Sequence, residues 1–166
     1  MKITYITGAT CTGKTTYAKT ICNNEIIISL DALSKAIRFT FDDFKLYTTD
    51  KVSIRPTINN DKFLNFVKTY IEYLAVDYPD RDIIIEGCHF TPEEFLSAFP
   101  NAKIIALGIT DKTTALRQIN KKDWMAKLDN DIKIEYINQI VDYSNELKHK
   151  FVGCYIEALD NSYHTI

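Results

Sequence analysis

The sequence has few of the features that mark secreted or membrane-spanning proteins. Only four cysteines occur among its 166 residues, and none forms a C-x-x-C pair or a metal-ligand spacing, so we expect reduced thiols rather than disulfides. No apolar run approaches the length that crosses a membrane. The first residues lead directly into a predicted strand without a signal peptide, which favours a cytoplasmic protein.

An excess of charge is also lacking, because 20 basic and 22 acidic side chains leave a formal charge of −2. A chain with this balance has no broad attraction for a phosphate backbone or an anionic bilayer, so neither nucleic acid nor a membrane is expected as a partner. Hydrophobic residues at 46% and charged residues at 25% are ordinary for a globular protein. Since no repeat or linker divides the chain, residues 1–166 are expected to form one domain.

Short apolar runs alternate with helical patterns from end to end, which predicts a parallel sheet with helices on both faces. Most of these runs are rich in isoleucine, as strands buried on both faces should be. The five predicted strands are Lys2–Thr7, Glu25–Ser29, Asp82–Glu86, Lys103–Gly108 and Val152–Glu157. The pattern weakens between Thr40 and Asn60, a segment that we interpret as loop or short helix.

Two helix starts carry signals of their own. Thr91, Pro92 and Glu94 have the spacing of a capping box with proline in the first turn, so a helix should begin there. Thr110 or Asp111 is placed to cap the helix after the fourth strand. A last long helix is indicated by apolar residues at helical spacing between residues 132 and 147.

One stretch carries a specific functional signal: residues 8–16 read GATCTGKTT, which matches G-x-x-x-x-G-K-T between a strand and a helix. Its two glycines can adopt backbone angles closed to other residues, so the loop can turn its N–H groups onto an anion at the positive end of the helix dipole. A polyphosphate fits such a site. Lys14 would reach the β- and γ-phosphates, and Thr15 would offer its hydroxyl to Mg²⁺. The predicted cofactor-binding residues in this loop are Gly8, Ala9, Thr10, Cys11, Thr12, Gly13, Lys14, Thr15 and Thr16.

Cys11 lies inside this phosphate loop. Because only the backbone must meet the phosphates there, we interpret its side chain as one that the loop tolerates. The alternative is an exposed thiol that alkylating reagents reach.

With this loop and this alternating layout, the chain resembles the small P-loop kinases. That group includes nucleoside-monophosphate, shikimate and gluconate kinases, chloramphenicol phosphotransferase, zeta-type toxins and polynucleotide 5′-kinases. The resemblance implies the three-layer P-loop NTPase α/β fold, with a five-stranded parallel sheet in the order 2-3-1-4-5 and helices on both faces. It also implies ATP and Mg²⁺ as cofactors, an acceptor-binding insert at about 40–60 and a lid at about 117–131.

The resemblance implies acceptor-binding roles for Asp31 and Arg38. Asp31 follows the second strand, where several hydroxyl-phosphorylating members keep an acidic residue, and a carboxylate there can accept the proton of an attacking hydroxyl or hold it in line. Water-mediated binding of Mg²⁺ and capping of the following helix are alternatives for Asp31. Arg38 matches an arginine that nucleotide-kinase relatives use on the acceptor's phosphate, although a surface helix residue is equally consistent with its position.

Glu86 ends the third strand, where the family carries an acidic residue that contacts the Mg²⁺ shell or the acceptor. An acidic residue directly after three isoleucines is otherwise costly to bury. Nucleoside-monophosphate kinases have Asp-Gly followed by Pro-Arg here, whereas this chain continues with Gly87, Cys88 and His89. The missing arginine argues against a nucleotide acceptor. His89 could line the acceptor pocket, or it could be a neutral, hydrogen-bonded histidine.

Arg117 and Lys121 lie four residues apart on the helix after the fourth strand, where relatives keep arginines that stack on adenine and neutralise the transferring charge. The resemblance therefore implies that Arg117 binds the cofactor and acts in catalysis. A solvated basic face is the alternative for both side chains.

Taken together, these residues predict an ATP- and Mg²⁺-dependent phosphotransferase acting on a small-molecule acceptor, most simply a hydroxyl compound, in a monomer or homodimer. The predicted catalytic residues are Lys14, Asp31 and Arg117; Thr15 and Glu86 are the predicted metal-binding residues, and Asp31, Arg38 and Glu86 the acceptor-binding ones. A nucleotide kinase for deoxynucleoside monophosphates and a nucleoside or polynucleotide 5′-kinase are alternatives within the same reaction class. A nucleotide-binding switch ATPase is the alternative from a different class.

Overall fold

The computed structural model describes residues 1–40, 60–159 and 162–165. The predicted acceptor-binding insert at about 40–60 therefore lies outside the described residues, except for its two ends. Within the described ranges, no helix has the length and apolar character needed to span a membrane.

Strands and helices alternate along most of the chain. The strands are β1 Ile3–Gly8, β2 Ile26–Ser29, β3 Ile83–Glu86, β4 Lys103–Gly108, β5 Tyr155–Leu159 and β6 Ser162–Thr165. The helices are α1 Lys14–Ile21, α2 Leu30–Thr40, α3 Asn60–Asp77, α4 Pro92–Ala98, α5 Lys112–Asn120, α6 Asp123–Ala126 and α7 Asn130–Lys150. One turn of 3₁₀ helix, Val152–Cys154, leads into β5.

The strands form one sheet in the order β2-β3-β1-β4-β5-β6. The first five are parallel to one another and β6 runs antiparallel to β5. This confirms the predicted parallel order 2-3-1-4-5. The sheet also contains β6, for which we had predicted no strand. The fifth strand begins at Tyr155 rather than Val152, and β1, β2 and β3 each begin one residue later than predicted.

Hydrophobic cores on both faces explain the isoleucine-rich strands. In β3, Ile83 and Ile85 belong to one buried cluster, which Phe63 of α3 completes, whereas Ile84 belongs to a second cluster with Ala18 of α1. A strand covered on both faces needs apolar side chains in succession rather than in alternation. Both faces of the sheet are covered, and β3 ends with Glu86 at the edge where the carboxyl ends of the parallel strands meet.

Two helix starts follow the sequence signals. Thr91 Oγ1 accepts a hydrogen bond from the Glu94 amide at 3.0 Å and Glu94 Oε2 accepts one from the Thr91 amide at 2.6 Å, which confirms the capping box with Pro92 in the first turn. Asp111 caps α5 by accepting a hydrogen bond from the Thr114 amide at 2.6 Å. The hydrogen bonds from Thr114 lower the pKa of the Asp111 carboxyl, because they stabilise its ionised form.

Strand β1 holds the loop that follows β3. The Tyr5 hydroxyl donates to the carbonyls of Gly87 at 3.3 Å and Phe90 at 2.9 Å, and the Thr7 hydroxyl donates to the same Phe90 carbonyl at 3.4 Å. The Gly87 amide in turn donates to the Ile6 carbonyl at 3.1 Å. Burial raises the pKa of Tyr5 far above its usual value, so the phenol remains a donor at any physiological pH.

These bonds predict that Tyr5→Phe destabilises the protein by about 1–2 kcal/mol, because the Gly87 carbonyl loses its side-chain donor and the Phe90 carbonyl keeps only the longer bond from Thr7, while the ring still fills its space. The measurement is the free energy of unfolding in urea. Tyr73→Phe is the matched control, since Tyr73 is exposed on α3. Equal stability of the two variants would show that the hydrogen bonds of the Tyr5 hydroxyl do not stabilise the protein.

Candidate active site

The phosphate loop owes its shape to backbone angles that most residues avoid. Gly8, Cys11 and Gly13 have φ values of 144°, 65° and 79°. A Cβ at Gly8 would collide with the carbonyl oxygen of Leu107 on the neighbouring strand, so only glycine fits where β1 turns into the loop. Left-handed residues interspersed among right-handed ones curl the backbone into a concave nest of amides that suits an anion.

Helix α1 begins at this loop without a side chain that caps its first backbone amides. Its N-cap is Gly13, no side chain caps it, and no acidic residue lies in its first turn. The first N–H groups and the positive dipole end are therefore available to a ligand. Gly13, Lys14, Thr15 and Thr16 line a pocket of about 280 Å³ at this helix start.

Lys14 is buried against its own loop. Its ammonium donates to the carbonyl oxygens of Gly8 at 3.1 Å and Ala9 at 2.6 Å. The Thr12 hydroxyl donates to the same Ala9 carbonyl at 2.9 Å and closes the loop from the other side. Carbonyls are neutral partners, so the ammonium keeps a charge that would attract an anion entering the pocket.

Cys11 packs its side chain between the loop and α6. Its sulfur lies 3.4 Å from the sulfur of Met125, within a buried cluster to which Ile119 of α5 also contributes. Burial raises the pKa of the Cys11 thiol, since the thiolate loses its hydration there. The structure thus supports the interpretation of a tolerated loop side chain and not that of an exposed, reactive thiol.

Glu86 brings a carboxylate to the carboxyl edge of the sheet beside the loop. Register pairs it with Ile6 of β1 on one side and Ser29 of β2 on the other. Its side chain is 1% exposed and lines the pocket, and its Oε1 has no hydrogen-bond partner among the residues that the structure describes. A buried carboxylate oxygen without a partner is costly, so this position fits a ligand that supplies a cation, a hydroxyl or bound water.

Asp31 lies in the first turn of α2 and lines the same pocket, with its side chain 54% exposed. Helix α2 begins at Leu30, and the Ser29 hydroxyl accepts a hydrogen bond from the Ala32 amide at 3.5 Å. Ser29 therefore occupies the capping position that one alternative reading gave to Asp31. The Asp31 carboxylate is left to face the pocket.

A buried histidine stands behind this carboxylate. His89 Nδ1 lies 3.5 Å from Asp31 Oδ1, and His89 Nε2 lies 3.1 Å from the Ser34 hydroxyl. That hydroxyl also donates to the Asp31 carbonyl at 3.1 Å, so Ser34 links the histidine to the backbone of α2. Neither Ser34 nor this pairing was found in the sequence, because residues 34 and 89 are brought together only by the packing of α2 against the loop after β3.

Gln118, Lys121 and Lys122, from the end of α5 and the residues after it, also line the pocket. Arg117, which we had expected at the γ-phosphate, is exposed and donates to the Thr114 hydroxyl of its own helix at 3.0 Å. The structure thus brings the two lysines to the pocket lining rather than the arginine. Lys121 had been noted in the sequence, whereas Gln118 had not, because the phase of α5 depends on its contacts with α7.

Arg38 lies in the last turn of α2 and is exposed. It is seven residues beyond Asp31, which places it about 10 Å farther along the helix axis. It is absent from the described lining of the pocket, whereas Cys88, which the sequence reading passed over, belongs to that lining. The position of Cys88 just after a strand that ends at the carboxyl edge is the signal that could have identified it.

A known structure shares this architecture. The crystal structure of shikimate kinase from Bacteroides thetaiotaomicron matches with a TM-score of 0.55 and 14% sequence identity, over 95% of this chain and 86% of that one. No family model and no curated protein sequence matches the chain. Similarity at this low identity establishes the P-loop NTPase α/β fold, and the reaction has to be argued from the site.

The burial of Cys11 predicts slow alkylation. In the native protein at neutral pH, Cys154, which is exposed, should react with iodoacetamide at least about tenfold faster than Cys11, because the Cys11 thiol is covered and its raised pKa reduces the thiolate fraction. Peptide mass spectrometry over time measures both rates. Labelling of Cys11 as fast as Cys154 would show that the loop thiol is open to solvent.

Proposed function

We propose that the protein is an ATP- and Mg²⁺-dependent phosphotransferase that moves the γ-phosphate to a hydroxyl group of a small molecule. The observation that carries this proposal is that Lys14, Thr15, Asp31 and Glu86 all line the one pocket at the start of α1. The structural neighbour is named as a kinase, which is consistent with phosphoryl transfer.

The donor side of the reaction is the amide nest of residues 8–16. A triphosphate seated there would take the place of the carbonyls of Gly8 and Ala9 as the partner of Lys14, since phosphate oxygens carry more negative charge than carbonyl oxygens. The ammonium would then stabilise the charge that accumulates on the γ-phosphate during transfer.

The residues of the pocket fit a magnesium ion. Thr15 offers a hydroxyl at the start of α1, and Glu86 offers the carboxylate oxygen that has no described partner. Mg²⁺ prefers oxygen ligands and keeps several of its waters, so one hydroxyl and one carboxylate are a sufficient protein contribution. When bound, the ion supplies neutralisation of charge between the β- and γ-phosphates.

The acceptor side is built around Asp31. Its carboxylate would accept the proton of the attacking hydroxyl or hold that hydroxyl in line. Asp31 and Glu86 are both acidic, so the described acceptor side favours a hydroxyl over a phosphate group. Arg38, about two turns farther along α2, would contact only an acceptor that extends along that helix.

We further propose that residues 117–131 form a lid that closes over the donor within a single domain. Gln118, Lys121 and Lys122 already line the pocket from that side. Arg117 would reach the γ-phosphate only after a movement of α5 and α6 toward the loop, as lids in phosphotransferases make on substrate binding.

Lys14→Ala should reduce acceptor-dependent ADP release at least about 100-fold, because the main cation at the transferring phosphate is removed. The assay supplies ATP and Mg²⁺ with a panel of sugars, nucleosides, hydroxy acids and hydroxyl-bearing antibiotics. Lys19→Ala is the matched control, since Lys19 is exposed on the same helix. Steady hydrolysis that is indifferent to every acceptor would favour the switch ATPase instead.

Asp31→Asn should lower the acceptor-dependent rate by about 10²- to 10⁴-fold, because an amide cannot take the acceptor's proton. Binding of magnesium ATP, measured by calorimetry, should change less than about twofold, since a neutral amide of the same size leaves the loop intact. Asp80→Asn, at an exposed position, is the control. An unchanged rate in Asp31→Asn would remove this residue from the acceptor side.

A further inference from the structure

We propose that Asp31, Cys88 and His89 form a binding site for a thiophilic divalent cation, Zn²⁺ in the first instance, beside the phosphate loop. One ligand atom from each of these residues lies within 4.8 Å of the other two. A carboxylate, a thiolate and an imidazole together suit Zn²⁺, whereas Mg²⁺ prefers oxygen ligands alone. The site is therefore separate in chemistry from the magnesium position that we propose at Thr15 and Glu86.

Two of the three ligand atoms already have the spacing that zinc requires. Nitrogen and oxygen ligands of tetrahedral zinc lie about 3.4 Å apart when each is about 2.0–2.1 Å from the metal. His89 Nδ1 and Asp31 Oδ1 are 3.5 Å apart. The thiol of Cys88 lies within 4.8 Å of both atoms and would have to approach them by at most about 1.3 Å to complete a triangle of ligands.

The hydrogen bonds behind His89 direct the correct nitrogen toward Asp31. The Ser34 hydroxyl donates to the Asp31 carbonyl at 3.1 Å and lies 3.1 Å from His89 Nε2. With a metal at Nδ1, the Nε2–H of the neutral imidazole would donate to that hydroxyl, as metal-bound histidines donate through their other ring nitrogen. Nδ1, which lies 3.5 Å from Asp31 Oδ1, would then supply the lone pair that binds the metal.

The ligands are held in place before any metal arrives. The loop that carries Cys88 and His89 is fixed to β1 through the hydroxyl of Tyr5, and the imidazole packs on the ring of Phe63 with centroids 5.4 Å apart. His89 is 1% exposed and Cys88 is 7% exposed, while Asp31 opens to the pocket. Three protein ligands with a fourth position toward solvent are typical of zinc sites that exchange ligands rather than of closed structural ones.

Occupation of this site has a consequence for catalysis that rests on the proposed function. A zinc ion bound to the Asp31 carboxylate would withhold it from the acceptor hydroxyl, so micromolar Zn²⁺ should inhibit transfer even with excess Mg²⁺ present. On binding, the Cys88 thiol releases its proton to solvent and no group is oxidised or reduced. The site would thus be inhibitory and independent of the nucleotide.

The test uses Co²⁺ as a spectroscopic probe on the full chain, without nucleotide and with a non-thiol reductant. We expect one Co²⁺ per chain, with a near-ultraviolet thiolate-to-cobalt charge-transfer band that Zn²⁺ abolishes and excess Mg²⁺ does not. Cys88→Ser should remove the band. Asp31→Asn, which changes an exposed side chain, should weaken Co²⁺ binding at least about tenfold without loss of fold by circular dichroism.

Cys154→Ser and Cys22→Ser are the matched controls, and both should keep the band because these thiols lie away from the cluster. A wild-type chain without a charge-transfer band at micromolar Co²⁺, or a band that persists in Cys88→Ser, would overturn the proposal. Since the readout is absorption by the free protein, its failure is distinct from the failure of the kinase assay.

Discussion

The site depends on how the loop after β1 holds the ammonium of Lys14. Left-handed backbone at Gly8, Cys11 and Gly13 bends the chain so that the carbonyls of Gly8 and Ala9 meet the side chain at the start of α1. The same bend leaves the first amides of α1 without a side-chain cap. A cation and the positive end of a helix dipole are thereby brought together in one small volume, which suits an anion.

The position of β1 in the sheet determines which other side chains lie beside this loop. Because β1 lies between β3 and β4, the end of β3 delivers Glu86 next to the loop, and the hydroxyl of Tyr5 fixes the segment that follows. Helix α2 adds Asp31 from the far side of β3. The pocket therefore has Lys14 on one side and the carboxylates of Asp31 and Glu86 on the other, and the phosphotransferase that we propose would use these sides for its donor and its acceptor.

Local sequence chemistry was sufficient for much of this arrangement. The strand and helix alternation, the glycine positions of the loop after β1 and the Thr91 capping box follow from buried isoleucines, glycine conformation and the geometry of helix ends, whereas the strand order was implied by the resemblance to small P-loop kinases. Tertiary packing decided the rest. Lys121 lines the pocket while Arg117 bonds to Thr114 of its own helix, and β6 pairs with β5 although no strand was predicted there.

The most direct test of the central claim is a calorimetric titration of the protein with ATP, ADP and AMP, each with Mg²⁺. If the amide nest and Lys14 bind a polyphosphate, ATP and ADP should bind with micromolar dissociation constants, and AMP should bind at least about 100-fold more weakly, because each phosphate contact is charge-assisted. Equal affinity for all three nucleotides, or no heat with ATP at millimolar concentration, would contradict the account.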